Sequence, residues 1–266
     1  SKLILDRENL GFDNNPDLFF IGFSAMDYVI HNYGPFSQET MDYLIRLDIQ
    51  LNELISHIDN RIGLEHVEFV MTSDHGGLPL PEFLPQLNLT GGRINRDNLR
   101  EAYDWIDDEI SEYYGENLFY KDFTNYYFFH DKLKKNNIEA SGLENIIKKY
   151  LGMVEGVKAV FSKTEIINSK KTDNVSLRLK NMVHVEKSAD IFVIIEPGYL
   201  YRNPYGTSHG SPYDYDAHVP LLFAKEGRSK TEIKVQAETV DIAPTILNLL
   251  NIKTDYPFDG KVIQIQ

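Results

Sequence analysis

Between Asp17 and Ser73 the hydrophobic period of the chain changes twice, and that alternation limits the possible folds more than any other feature. "DLFFIGFSA" (Asp17–Ala25) follows the turn-like "DNNP" as a continuous apolar run, the pattern of a strand buried on both faces. From Ser37, "SQETMDYLIRLDIQLNELISHIDNRIG" sets Leu44, Leu47, Leu51, Leu54, Ile55, Ile58 and Ile62 at helical spacing, with Ser37 available as N-cap and Gly63 at the stop. "VEFVMTS" (Val67–Ser73) then reads as a second buried strand. A strand, helix, strand unit predicts a parallel sheet.

From Leu78 to about Asn125 the texture turns to Pro, Gly and aromatic residues around one helical segment, "RDNLREAYDWIDDEISEYY", whose outer face is acidic. An insertion around 78–155 is expected. Beyond it, "LFYKDF" and "NYYFFH" read as a strand pair, "GLENIIKKYLGMVEG" and "DNVSLRLKNMVH" as helices, and "VKAVFS", "DIFVIIEPGYL" and "VPLLFAK" as strands. "AETVDIAPTILNLL" closes the chain as an amphipathic helix. No repeat or low-complexity segment interrupts this, so residues 1–266 are expected to form one α/β domain carrying the insertion.

Charge and composition remove several functions. With 40 acidic against 27 basic residues the net charge is -13, which argues against a surface for nucleic-acid phosphates or anionic lipid. An anionic substrate would need that field inverted locally, for which bound metal cations serve. No apolar run approaches the roughly 18 to 20 residues of a membrane span. Cysteine is absent, which leaves His, Asp and Glu as metal ligands. The chain opens at Ser1 with neither an initiator Met nor a signal-peptide pattern, and is expected to begin partway through a longer protein.

Three stretches fall where a parallel sheet places function, after the ends of strands. In "FSAMDYVIH", Asp27 and His31 stand four residues apart and project from one face of a helical turn, where they could bind one divalent cation. In "FVMTSDHGG", Asp74 and His75 end a strand, and Gly76 and Gly77 would let the backbone turn so that both side chains face one ion. In "GTSHGSPYDYDAH", His209 and His218 are alternatives for a closing ligand. Each piece alone has a plainer meaning: a helix-start acid, a surface His, a loop His. Their common position at strand ends favours zinc chemistry. His57, His66, His130 and His184 lack partner motifs and read as surface or packing residues.

"FSAMDYVIHNYGP", "VMTSDHGG" with "PLPEFL", "YGTSHGSPYDYDAHVPLLF" and "TVDIAPTILNLL" together resemble the second half of the alkaline phosphatase superfamily, from about Asp17 to Gly260. They are most similar to single-chain periplasmic phosphomonoesterases with a threonine nucleophile, and also similar to the phosphodiesterase and nucleotide pyrophosphatase branch. The resemblance implies an alkaline-phosphatase-like α/β sandwich with a mostly parallel central sheet, helices on both faces, and the N-terminal part of the fold outside this chain. It implies two zinc ions and leaves open replacement of one by another divalent metal. Asp27, His31 and His209 would hold the first and Asp74 and His75 the second; His-Gly after a Gly-containing turn favours His209, while His218, against the apolar "VPLLF", reads better as a supporting group.

The implied activity is hydrolysis of small phosphate monoesters by transfer to a Thr or Ser nucleophile and then to water. A phosphodiesterase and a non-catalytic metal-binding module are the alternatives. Neither the nucleophile nor one further ligand has a counterpart here: Thr72 lies in a strand, and Thr90 and Thr207 read as ordinary loop residues. The chain alone is expected to bind zinc weakly and hydrolyse nothing. Periplasmic or secreted localisation is an implication of the resemblance, and the oligomeric state is open. "LTGGRINRD", with Arg93, resembles a loop of these phosphatases without suggesting a mechanism.

Overall fold

The computed structural model describes residues 1–202 and 204–265. It contains two compact units, one of Ser1–Phe23, Leu44–Ser73 and Pro220–Gln266, the other of Ser24–Tyr43 and Asp74–Val219. The strands are β1 (Glu68–Thr72), β2 (Gly92–Arg93), β3 (Phe119–Asp122), β4 (Asn125–Phe128), β5 (Val157–Ser162), β6 (Ile191–Ile195), β7 (Tyr199–Leu200) and β8 (Leu221–Lys225).

In the first unit, β1 pairs antiparallel with β8, Glu68 opposite Lys225 and Thr72 opposite Leu221. The expected helix spans Gln38–Ile62, its residues from Leu44 on belonging to this unit, with Ser37 Oγ accepting from the Thr40 N–H at 3.1 Å and Gly63 ending it at a φ of 88°. Its Leu54 and Ile58 are buried together with Leu5. The expected strand at Asp17–Ala25 is absent, and residues 17–23 have no ladder partner among the described residues. Phe19 and Ile21 do pack into the same apolar cluster as Val67 and Phe69, but Leu18 and Phe20 are 68% and 88% exposed. An apolar run signals burial, whereas a strand also needs a neighbour's N–H and C=O groups. The mostly parallel sheet expected from that pairing is corrected with it: of the described ladders only β2–β7 is parallel.

The main core lies in the second unit, against a sheet ordered β3-β4-β6-β5. The helix Arg96–Tyr114 starts where Asn95 accepts from the N–H groups of Asp97 and Asn98. It buries Leu99, Ala102, Ile106 and Ile110, at steps of three and four, and leaves its acidic face outside. The helix Ala140–Leu151 buries Leu143, Ile146, Ile147 and Leu151 on the same cluster, which includes Tyr126, Phe128 and Ile191 of the sheet. Each such Leu or Ile contributes about 1.5–3 kcal/mol. The run "DIFVIIEPGYL" is broken at Gly198, where φ is +81°, so it supplies β6 and then β7. The Gly198 carbonyl accepts from Gly92, and a Cβ on Gly91 would lie 2.2 Å from that carbonyl oxygen. The close approach of these backbones anchors β2 beside β7, from which the chain runs toward His209.

Candidate metal centre

The helix Ala25–Tyr33 carries Asp27 in its first turn and His31 in its last. At a spacing of four the side chains share a face, and His31 Nε2 lies 3.5 Å from Asp27 Oδ2. A loop from β7 then presents His209, whose Nε2 lies 3.2 Å from His31 Nε2 and 3.4 Å from Asp27 Oδ1. These three residues are the group among the described residues whose side chains converge closely enough to hold one ion.

The donor set fits a zinc-like cation. Ligand atoms about 2.0–2.1 Å from a tetrahedral centre lie about 3.3 Å from one another; the Nε2 atoms of His31 and His209 are 3.2 Å apart, and they approach different oxygens of Asp27, Oδ2 at 3.5 Å and Oδ1 at 3.4 Å. The tautomer fits too. His31 Nδ1 is 2.8 Å from the Thr207 carbonyl, which can only accept, so Nδ1 carries the proton and Nε2 keeps its lone pair for the centre. The His31 carbonyl in turn accepts from the Thr207 N–H at 2.9 Å. That reciprocal pair requires Gly206, at φ +80°, because a Cβ there would lie 2.3 Å from the His31 carbonyl oxygen.

Asp74 and His75 sit beside this group. The His75 ring stacks on His209 with centroids 3.4 Å apart, and its Nε2 is 3.5 Å from Asp74 Oδ2 and 3.9 Å from Asp27 Oδ1. Its Nδ1 is fixed by the Gly76 carbonyl at 2.8 Å, again directing Nε2 toward carboxylates. Asp27 Oδ1 is thus approached by the Nε2 atoms of both stacked histidines, at 3.9 Å from His75 and 3.4 Å from His209. Burial, aided by the neighbouring His75 and His31, pushes the His209 pKa below the usual imidazole value against the pull of Asp27, which favours the neutral, ligating form. His218 is exposed at the end of the short helix Asp214–Ala217 and does not join the group.

Two expectations about local structure change. Asp27 follows no strand, so the helix Ala25–Tyr33 alone orients it. Gly76 and Gly77 lack positive φ, so no sharp turn selects them. Gly76 is required by close approach: a Cβ would lie 2.1 Å from the Tyr215 carbonyl oxygen, while the N–H groups of Gly76 and Gly77 donate to the Asp216 and Tyr215 carbonyls at 2.7 and 3.0 Å.

Sequence reasoning missed the supports. Thr207, read as an ordinary loop residue, is fully buried, and its Oγ1 donates to the Leu78 carbonyl at 2.7 Å. Arg93, which had no mechanism, grips both Glu82 oxygens at 2.7 and 2.9 Å and donates to the Arg202 and Gly206 carbonyls at 2.7 and 2.9 Å. It ties the Pro-rich segment after the Asp-His-Gly stretch to the loop that delivers His209. The nearest signal in the sequence is an Arg flanked by glycine in a loop, which is weak.

The model of the type I phosphodiesterase / nucleotide pyrophosphatase family matches residues 2–218. The chain is similar to the alkaline phosphatase PafA of Elizabethkingia meningoseptica, 28% identical over 97% of this chain and 47% of the relative. It is also similar to a calcium-transporting ATPase of Myroides odoratus, 27% identical over 95% of this chain and 47% of the relative. The crystal structure of wild-type PafA superposes with a TM-score of 0.85 at 27% identity, covering 97% of this chain and 49% of that one. The chain therefore spans about half the length of the curated relatives it matches.

Proposed function

The chain belongs to the type I phosphodiesterase / nucleotide pyrophosphatase family and has the expected alkaline-phosphatase-like fold, and from that premise we propose that it supplies the metal-holding part of a phosphomonoesterase. The observation that carries this reading is the convergence of Asp27, His31 and His209 at 3.2–3.5 Å. These three would hold one zinc ion, and Asp74 and His75 would contribute to a second, with another divalent metal able to replace one of them. A metal pair bound there would supply positive charge to both the entering and the leaving oxygen of an in-line phosphoryl transfer.

The chain's own residues hold and orient. Thr207 and Gly76 use their carbonyls to fix the rings of His31 and His75, so that neither imidazole must reorganise when it ligates. Thr207 is itself unsuited as nucleophile, being buried with its hydroxyl committed to Leu78. Thr72 is a ladder residue of β1, and its hydroxyl lies 3.3 Å from the Ser73 carbonyl. Both observations support a nucleophile outside these residues.

A second reading, a phosphodiester or nucleotide substrate, is favoured by the family's name and by the relative named as an ATPase. Turnover of p-nitrophenyl phosphate against bis-p-nitrophenyl phosphate by the zinc-loaded full-length protein separates them. Faster monoester hydrolysis is expected; faster diester hydrolysis gives the site to the second reading, and bound zinc without either activity marks a non-catalytic metal module. Export to the periplasm or medium belongs to the same proposal. No helix of the described residues is long and apolar enough to cross a membrane.

A further inference from the structure

Asp216 bonds to both of the stretches that bring His75 and His209 together. Asp216 is 3% exposed. Its Oδ2 accepts from the Ser211 N–H at 2.8 Å, closing the turn that follows His209. Its backbone carbonyl accepts from the Gly76 N–H at 2.7 Å, and the adjoining Tyr215 carbonyl accepts from Gly77 at 3.0 Å, which seats the Asp-His-Gly segment. This junction of backbone and carboxylate adds to the Thr207–Leu78 hydrogen bond in holding the stretches that stack His75 on His209 at 3.4 Å.

The carboxylate is only half satisfied. Oδ1 is buried without a hydrogen-bond partner, the one carboxylate oxygen in that condition among the described residues. A buried, under-bonded anion costs folding free energy and calls for a compensating role or a nearby cation.

We propose that Asp216 is a positioning residue of the metal centre, its carboxylate setting the His209 turn and its backbone carbonyl setting the Asp-His-Gly segment. This rests on the reading that the centre binds metal. Asp216 acts through its neighbours, holding two ligand-bearing segments in register by the Ser211 N–H on its carboxylate and the Gly76 N–H on its carbonyl. Partners at this remove from a metal are worth about 10- to 100-fold in affinity.

The test uses the full-length protein and three readouts: zinc affinity by chelator competition, the visible spectrum of the cobalt(II) form, and the Tm of the metal-free form. Asp190→Asn is the control, since Asp190 is a buried carboxylate that serves Phe128, Lys163 and His130. Asp216→Asn is expected to weaken zinc binding about 10- to 100-fold and to shift the cobalt spectrum, while Asp190→Asn lowers Tm without moving either. Wild-type affinity and spectrum in Asp216→Asn would overturn the proposal, as would an equal loss of affinity in Asp190→Asn. Should Asp216→Asn not fold, Gly76→Ala opens the same junction from the other side; weakened zinc binding supports the proposal and unchanged binding overturns it. A wild-type protein that binds no zinc removes the metal reading itself, an outcome distinct from all of these.

Discussion

The Nε2 atoms of His31 and His209 lie 3.2 Å apart although 178 residues separate them in the chain. The Thr207 carbonyl holds the His31 proton on Nδ1, so the lone pair of His31 Nε2 is aimed at its partner ring. Two ring nitrogens so aimed need a proton or a cation between them, and Asp27 at 3.4 and 3.5 Å completes a charge-neutralising corner.

Thr207→Val tests the scaffold under that corner. The substitution preserves shape but leaves the buried Leu78 carbonyl without its 2.7 Å donor. A loss of about 1–3 kcal/mol is expected, read as a lower urea midpoint at unchanged slope. A midpoint equal to wild type would show that the hydroxyl is not needed there.

The neighbouring glycines should respond unequally. At Gly76 a methyl group would lie 2.1 Å from the Tyr215 carbonyl oxygen, whereas at Gly77 its nearest neighbour is the Ile30 Cγ2 atom at 3.3 Å. Gly76→Ala should therefore cost about 1–3 kcal/mol, and Gly77→Ala clearly less. Equal costs in chemical denaturation would contradict close approach as the reason for glycine at 76.

Acid should loosen the Arg93 clamp. Hydrogen bonding from Arg93 holds Glu82 below its ordinary value of 4.5, so protons bind the unfolded chain more readily. The stabilising contribution of the pair is then fully present above pH 4.5 and lost as pH falls through the lower folded value. Glu82 is largely exposed, so the effect is small in size. Urea midpoints of wild type and Glu82→Gln should converge toward pH 3; a constant gap from pH 7 to pH 3 would contradict the assignment.

The 266-residue chain by itself should not turn over p-nitrophenyl phosphate, because Thr207, which braces His31, is buried with its hydroxyl committed to the Leu78 carbonyl. Sustained zinc-dependent turnover by this polypeptide would place the nucleophile within it.

How far the sequence could be read depends on how local each signal is. The helix Gln38–Ile62 was legible because its apolar spacing, its Ser37 cap and its Gly63 stop all lie within one segment. The strands β5 and β8 were legible as short apolar runs between turns. Asp17–Ala25 misled because burial of Phe19 and Ile21 leaves the same trace as strand pairing, and a ladder partner is a property of another segment. At the site, the spacing of Asp27 and His31 and the Asp-His-Gly motif were visible from residue types alone. Thr207, Arg93 and Asp216 were not, since each acts on a backbone group distant in the chain, and no pattern in their own neighbourhood records that.

The central claim is that Asp27, His31 and His209 hold a metal ion, and zinc titration of single variants of the full-length protein tests it most directly. His31→Ala and His209→Ala should each weaken zinc binding beyond the about 10- to 100-fold range of supporting residues, while His218→Ala, exposed and outside the group, should bind as wild type does. Wild-type affinity in His209→Ala, or its loss in His218→Ala, would contradict the account.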